Sequence, residues 1–395
     1  MTERKPTPIL IVGGGIGGMT AALALAKKKI SSIVLEQAAQ FREAGAGIQF
    51  CPNTFKVLDY LQIAAAFKEI AIFPEQLCYV DGLTGNELLS LPLGKEIAKK
   101  FHHPFGSFHR EEVLRCFVKE CRKSPYITLV TSAKVKDIEE RGELVFAKTE
   151  DGTLYSGEAL IGCDGIWSVV RQRVLGNHMP RNSGQIIYRG VVQRSQMPQG
   201  LNLDNIVHYV RPSAHLVYYP IGNNGYFNIS AIFQSDRFPD EHEHIGKPDE
   251  LFHWFQDSHP KVLEILERVD TSIMRALCDL QPVSEWSKGR ITLLGDAAHA
   301  TLPYLTSGAG MAVEDAVVLA EKIATYQGDY VTAFQAYQKE RYIRTAYVQL
   351  FSRAYGDVHH SSGIKRELRN LLLSRRTVEE NYSWISYLYN GIELS

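Results

Sequence analysis

The stretch "ILIVGGGIGGMTAALALAKKKISSIVLEQ" constrains this chain more than any other. Four apolar residues, Ile9–Val12, run into Gly13-x-Gly15-x-x-Gly18. A helical pattern over about Met19–Lys29 follows, then a second apolar run, Ser32–Leu35, closed by Glu36. Strand, glycine turn, helix and strand in that order read as a βαβ unit. Glycines at such a turn permit a tight bend, close approach of a pyrophosphate to the backbone, and close packing of helix on strand. The N–H groups and dipole at the helix start favour an anion. Glu36, 18 residues past Gly18, can accept hydrogen bonds from both ribose hydroxyls. The unit therefore predicts a dinucleotide site. The plainer alternative is a packing turn beside a surface glutamate.

At 395 residues the chain exceeds one ordinary core, so two or three domains, or two that interpenetrate, are expected. "PNTFKVLDYLQIAAAFKEI" and "HREEVLRCFVKECRK" have helical spacing, and "EDGTLYSGEALIGCDG" reads as a hairpin followed by a buried strand. Between about Asn182 and Gln281 the pattern shifts to strands of a mostly antiparallel sheet, with "GNNG" as a hairpin turn. "KPDELFHWFQDSHPKVLEILERV" reads as helices broken at Pro260, and the last ~70 residues as helical. The fold class expected is α/β: a discontinuous Rossmann-like nucleotide domain (1–75, 100–181 and 282–325), an inserted antiparallel-sheet domain (76–99 and 182–281) and a helical C-terminal region (326–395).

A net charge of -1 gives no electrostatic case for nucleic acid or anionic membrane. No apolar run is long enough to span a bilayer, and "MTERKPTP" is too polar for a signal-peptide core. The six cysteines form no CxxC pair, so free thiols in the cytoplasm are expected, and no metal site.

The glycine turn alone does not separate NAD from FAD. "ALIGCDGIWSVVR" places Asp164-Gly165 at a strand end, before Ser168 and Arg171. "GRITLLGDAAHATLPYLTSGAGMAVEDA" places Gly295-Asp296 at another, followed by a proline loop, a glycine turn and a helix. With these three motifs in order, the chain resembles the single-component FAD-dependent aromatic hydroxylases, the family of 4-hydroxybenzoate 3-hydroxylase, salicylate hydroxylase and 3-hydroxybenzoate 6-hydroxylase, over nearly its whole length.

The resemblance implies bound FAD, with NAD(P)H and O2 as co-substrates and hydroxylation of a small aromatic through a flavin C4a-hydroperoxide. It implies that Gly13, Gly15, Gly18, Glu36 and Gln37 hold the adenosine half of FAD. Arg110 would face the cofactor, Asp164 would belong to a motif shared with the NAD(P)H site, and Asp296 would hold the ribityl chain. Gly47 and Pro303 would lie beside the ring, and Gly308, Ala309, Gly310 and Met311 would offer N–H groups to its pyrimidine edge, where the reduced ring is anionic. No second GxGxxG follows a strand, so NAD(P)H would dock transiently.

In "AHLVYYPI" the side chains of His215, Val217 and Tyr219 share one strand face, with His215 and Tyr219 about 13 Å apart on a regular strand. His215 is the candidate base for a phenol, since imidazole titrates near neutrality. Tyr219 is the candidate to orient a hydroxyl or carboxylate. The alternative is a buried His and Tyr satisfied by each other or the backbone. Gln49 in "GAGIQFCPN" (Gly45–Asn53), Arg189 and Tyr304 are further pocket candidates, and Arg211 a candidate for a substrate carboxylate. His299 reads as structural. Pro303 stands where the 3-hydroxybenzoate 6-hydroxylase pattern has glutamine and follows the salicylate hydroxylase pattern instead.

Three functions remain open on the sequence: hydroxylation of a hydroxybenzoate- or salicylate-type phenol; flavin-dependent oxidation of an N-heteroaromatic (6-hydroxynicotinate- or quinolone-like) or natural-product or antibiotic substrate; and a flavoprotein with an interaction role. The aromatic tail with Trp384, Tyr387 and Tyr389 motivates the last; packing on the flavin domain or across a homodimer is its alternative.

Overall fold

The computed structural model describes residues 7–42, 46–176, 179–235 and 244–394. Ile9–Val12 is fully covered and lies inside a six-stranded sheet. Leu160–Gly162 and Ser32–Leu35 flank it in parallel, with Leu10 opposite both Leu160 and Ile33. Ile127–Val130 and Ile291–Leu293 extend the sheet in parallel, and Ser287–Lys288 adds an antiparallel edge. Continuous apolar runs suit strands with helices on both faces. The helix Ile16–Lys27 packs against Arg110–Cys121 and Gly308–Tyr326. It starts ahead of its apolar pattern, at Ile16 rather than Met19, because Gly15 is its N-cap and the Met19 N–H already donates to the Gly15 carbonyl.

The second sheet has eight strands, ordered His244–Ile245, Ile273–Asp279, Arg181–Gln193, Tyr226–Gln234, Ala214–Ile221, Ile206–Arg211, Gln76–Asp81 and Glu87–Pro92. Every pairing is antiparallel except Gln76–Asp81 with Ile206–Arg211. Period-two alternation gives the sheet two different faces. Tyr188, Leu216, Tyr218, Ile229, Ala231 and Phe233 form a core with Leu251 and Phe255 of the helix Pro248–Phe255 and with Val262 and Ile265 of Pro260–Leu266. The intervening residues, including Arg189, His208, His215, Val217, Tyr219 and Ser230, face a cavity.

Gly47–Phe50, expected as loop, is a short strand paired antiparallel with Gly106–His109, Gln49 opposite Ser107. Phe50 packs on Phe108 and Phe55 behind it. Gly45, the first residue of that expected loop, lies outside the described residues.

The 30-residue helix Tyr330–His359 is about 45 Å long, enough to run from the first sheet to the second. Near its start Tyr337 donates to the Leu293 carbonyl of the first sheet. Farther on, Arg341 pairs with Asp315 at 2.7 Å and Arg344 with Glu314 at 2.7 Å, all four buried. Arg344 also donates to the Tyr387 and Leu388 carbonyls, which ties down the last helix, Val378–Tyr389. Breaking such a buried pair leaves an uncompensated charge and costs about 3–5 kcal/mol.

Candidate active site

A single cavity of about 920 Å³ runs from the glycine turn to the inner face of the eight-stranded sheet. At the first end, Gly13 has φ +107°, and a Cβ there would lie 2.3 Å from the Cys163 carbonyl oxygen. That turn conformation excludes ordinary side chains. Glu36 accepts from the Gly14 N–H at 2.8 Å and the Ala38 N–H at 2.8 Å, so its carboxylate is fixed beside the turn. Gly15, Gln37, Arg110, Asp164 and Asp296 line the same region. Gly18 does not. A Cβ there would strike the Gly13 carbonyl at 2.0 Å, so this glycine serves helix-on-strand packing.

Asp164 lines the cavity, but its carboxylate is engaged within the chain. It accepts from Ser168 Oγ at 2.5 Å and the Val170 N–H at 3.1 Å. Burial nevertheless pushes it above the usual carboxylate range. Arg171 donates from Nη1 to the Ala297 and Ala298 carbonyls at 3.0 and 2.9 Å, holding the segment after Gly295. His299 is structural: its Nε2 lies 2.5 Å from Asp315 Oδ2, and it is buried outside the cavity lining.

Midway, Gly47, Gln49, Pro303, Tyr304, Gly308 and Ala309 line the walls. A Cβ on Gly47 would come within 2.6 Å of the Tyr219 ring, so glycine is what permits that strand to approach the sheet. The 19-residue helix Gly308–Tyr326 directs its first residues at the cavity. Gly310 and Met311, expected beside them, are not in the lining. A Cβ on Gly310 would meet Thr54, while the Met311 N–H is taken by the Ser307 carbonyl at 2.9 Å and its side chain is buried beside Arg341. Only the opening residues of a helix have unspent N–H groups aimed outward. Gln49 is 8% exposed, and its Nε2 has no hydrogen-bond partner among the described residues.

At the far end stand His208, His215, Tyr219, Arg189 and His359. Burial holds His215 well below the ordinary histidine value, reinforced by His360, His359 and His208. The near-neutral titration expected for it is thereby removed, and His215 is a neutral imidazole at physiological pH. Its tautomer follows from a chain of contacts. Tyr304 donates to Gln185 Oε1 at 2.6 Å, which turns the Gln185 amide NH2 toward His360 Nδ1 at 3.5 Å. His360, accepting there, carries its proton on Nε2 and donates it to His215 Nδ1 at 2.8 Å. His215 is therefore assigned as the Nε2–H tautomer, a donor, by this network. In that tautomer His215 presents an N–H at Nε2.

Burial pushes Tyr219 up to about 12, against the pull of Arg189 and Arg110, so it is a neutral phenol and a donor. Burial lowers Arg189 from its ordinary value. Arg211 is removed from the site. It bonds Ser258 Oγ at 2.5 Å on the opposite side of the sheet and does not line the cavity. Of the aromatic tail, Tyr389 packs on Phe101 and Phe105, while Trp384 and Tyr387 rest on Tyr355 and Tyr347 and stay 42% and 47% exposed. All six cysteines are free. Among the described residues no cluster could hold a metal ion, and no helix is long and apolar enough to cross a membrane.

His208, His359 and His360 were missed from the sequence, and no local signal marks them. They come from the strand Ile206–Arg211 and the end of the helix Tyr330–His359, more than 140 residues apart.

A bare-backbone turn with a fixed carboxylate, a helix start facing the cavity and an unpartnered amide on the wall suit a long, anionic dinucleotide with a polar ring system. Comparison with known proteins agrees. Residues 6–349 match the family described as FAD binding domain. The chain is 37% identical to 3-hydroxybenzoate 6-hydroxylase 1 of Aquipseudomonas alcaligenes, over 96% of this chain and 97% of that protein. It is 31% identical to 3-amino-4-hydroxybenzoate 2-monooxygenase PtmB3 of Streptomyces platensis, over 95% of each. The fold superposes on Klebsiella pneumoniae HpxO complexed with FAD and uric acid with a TM-score of 0.85 at 24% identity, covering 98% of this chain and 97% of that one. The chain belongs to the FAD-dependent aromatic monooxygenases. FAD is its cofactor, and the α/β fold with a helical C-terminal region is that of the family.

Proposed function

We propose that this enzyme hydroxylates a small phenolic acid of the 3-hydroxybenzoate type in the cavity between the glycine turn and the eight-stranded sheet. The observation that carries the reading is continuity: the glycine turn and the His215–Tyr219 face line one cavity. The curated relatives named 3-hydroxybenzoate 6-hydroxylase support the substrate class.

In this reading, segments 1–75, 100–181 and 282–325 hold FAD, and 76–99 with 182–281 hold the ring. Gly13, Gly15, Glu36 and Gln37 bind the adenosine half. Arg110 and Asp296 flank the middle of the cofactor. Gly47, Pro303, Gly308 and Ala309 place backbone against its ring, and Gln49 Nε2 supplies a donor there. FAD, when bound, takes two electrons from NAD(P)H and activates oxygen.

The protein's own task is to hold an electron-rich ring, dry and oriented. His215 donates from Nε2 to the phenolic oxygen and fixes its position. Such a hydrogen bond is worth about 0.5–1.5 kcal/mol net. Tyr219 orients the ring by donating from its hydroxyl. Val217, between them on the same strand face, excludes water.

The test is a panel of hydroxybenzoates, salicylate and 6-hydroxynicotinate offered with NADH or NADPH to the FAD-loaded enzyme. The reading expects 3-hydroxybenzoate or a near isomer to stimulate NAD(P)H oxidation and give a product heavier by one oxygen. If only N-heteroaromatics are hydroxylated, or only hydrogen peroxide forms, the substrate class is wrong.

A further inference from the structure

His359 sits at the C-terminal end of the helix Tyr330–His359 and is 2% exposed. It lines the cavity, yet neither Nδ1 nor Nε2 has a hydrogen-bond partner among the described residues. His208 Nδ1, also on the lining, is likewise unpartnered. Two buried polar nitrogens left unmatched on one ring are costly unless a ligand meets them.

The surroundings define that ligand. His359 lies 5.4 Å, ring to ring, from His215 and 5.9 Å from His208. Rings at that separation are in contact, so one small ligand can reach both. The other rings against His359 are Tyr79, Tyr304 and Tyr355, all phenols. Arg369 donates to the His359 carbonyl at 2.7 Å and is itself paired with Asp81 at 3.7 Å. The carboxylates that line the cavity, Glu36, Asp164 and Asp296, belong to the glycine end. No carboxylate lines the cavity at this end, and with the Tyr304 hydroxyl spent on Gln185 the imidazoles of His359 and His208 are the polar groups left open there.

We infer that His359, with His208, forms a subsite for the carboxylate of an aromatic acid, while His215 takes the hydroxyl of the same ring. The inference rests on the proposed function and deepens it: His359 is the specificity-determining residue that separates hydroxybenzoates from simple phenols. An anion bound among imidazoles held neutral by burial and by one another raises their proton affinity. Binding should therefore draw a proton from solution and tighten as pH falls. The other titratable groups facing His359, Tyr79, Tyr304 and Tyr355, are pushed up by burial and stay neutral. Arg369, held at about 10, stays charged, as does its partner Asp81, held at about 2.

The test uses the FAD-loaded enzyme and its His359→Leu and His359→Gln variants, with benzoate, phenol and 3-hydroxybenzoate as probes. Affinity is read by calorimetry in two buffers of different ionisation enthalpy, so proton uptake is read too. The expected result is a loss of roughly tenfold or more in benzoate and 3-hydroxybenzoate affinity for His359→Leu. Phenol affinity should be unchanged, proton uptake lost, and binding partly restored in His359→Gln. Retained FAD absorbance in both variants establishes folding; if His359→Leu fails to fold, His359→Gln with its proton count decides. Unchanged benzoate affinity and proton uptake overturn the inference and leave the proposed function standing. So does loss of carboxylate affinity in Arg189→Gln but in neither His359 variant. If no aromatic acid binds the wild type, both fall, and the turnover panel shows independently that the substrate class is wrong.

Discussion

At the glycine end of the cavity the turn itself offers backbone atoms and the fixed Glu36 carboxylate from one short stretch, Gly13 to Gln37, with Arg110, Asp164 and Asp296 added from other segments. At the histidine end they are side chains from separate strands and a helix, His208, His215 and His359, brought together only by the eight-stranded sheet and the long helix. The difference teaches how each end can change. A backbone cradle tolerates almost no substitution but recognises a constant ligand. A side-chain pocket on a fixed sheet can be rewritten position by position, and it sets which ring the enzyme accepts.

The sharpest way to break that contrast is Gly13→Val. With φ +107° and the Cys163 carbonyl 2.3 Å from any Cβ, the variant should lose about 3 kcal/mol or more of stability and retain no FAD. A variant that purifies yellow with an unchanged melting temperature would show that the turn is not a tight cradle.

Next in size is the acid response of the histidine end. Burial holds His208 at about 4 and His360 at about 3 in the folded chain, below the ordinary 6.5. The unfolded chain binds these protons more readily. Stability is therefore full above pH 6.5 and is lost as pH falls from 6.5 toward 4. His208 alone accounts for about 2–3 kcal/mol at the lower limit. Asp81 and Asp315, held at about 2, lose their contribution only below the ordinary carboxylate value of 3.8, so the two windows are separate. Urea melts between pH 7 and 4 should show the slope, and His208→Phe should reduce it without abolishing it, because His215, His359 and His360 remain; a flat wild-type profile would mean the imidazoles are not held neutral.

His215→Ala should slow hydroxylation by about 10–100-fold, or divert turnover to hydrogen peroxide, while FAD stays bound. Flavin release in this variant would join the two ends that the structure keeps apart. The smallest effect is expected for Glu36→Ala, a roughly tenfold weaker hold on FAD with unchanged hydroxybenzoate affinity. Full flavin occupancy after dialysis would argue against a ribose role.

The same contrast explains what could be read from the sequence. The βαβ unit was legible because its glycines act on their own backbone and its apolar runs set their own strands. The inner face of Ala214–Ile221 was legible through its period of two, which put His215, Val217 and Tyr219 together. Gly310 and Met311 carry the motif but do not line the cavity: Gly310 is packed close to Thr54, and the Met311 N–H is spent on the Ser307 carbonyl while its side chain lies beside Arg341. Arg211 was misplaced because one register step puts it on the sheet's other face, against Ser258. The near-neutral titration expected of His215 fails because burial, reinforced by His360 and His359, lowers it, and no spacing rule links those positions to residue 215. Long-range packing, not local pattern, makes that end of the site.

The central claim, that one cavity holds FAD at the glycine end and the ring at the histidine end, is tested most directly by titrating the FAD-loaded enzyme with 3-hydroxybenzoate and following the flavin absorbance. The account predicts a saturable spectral change in the wild type that disappears in a His215→Ala, His359→Leu double variant which still carries its flavin. No spectral change in the wild type, or an identical one in the flavin-loaded double variant, would contradict it.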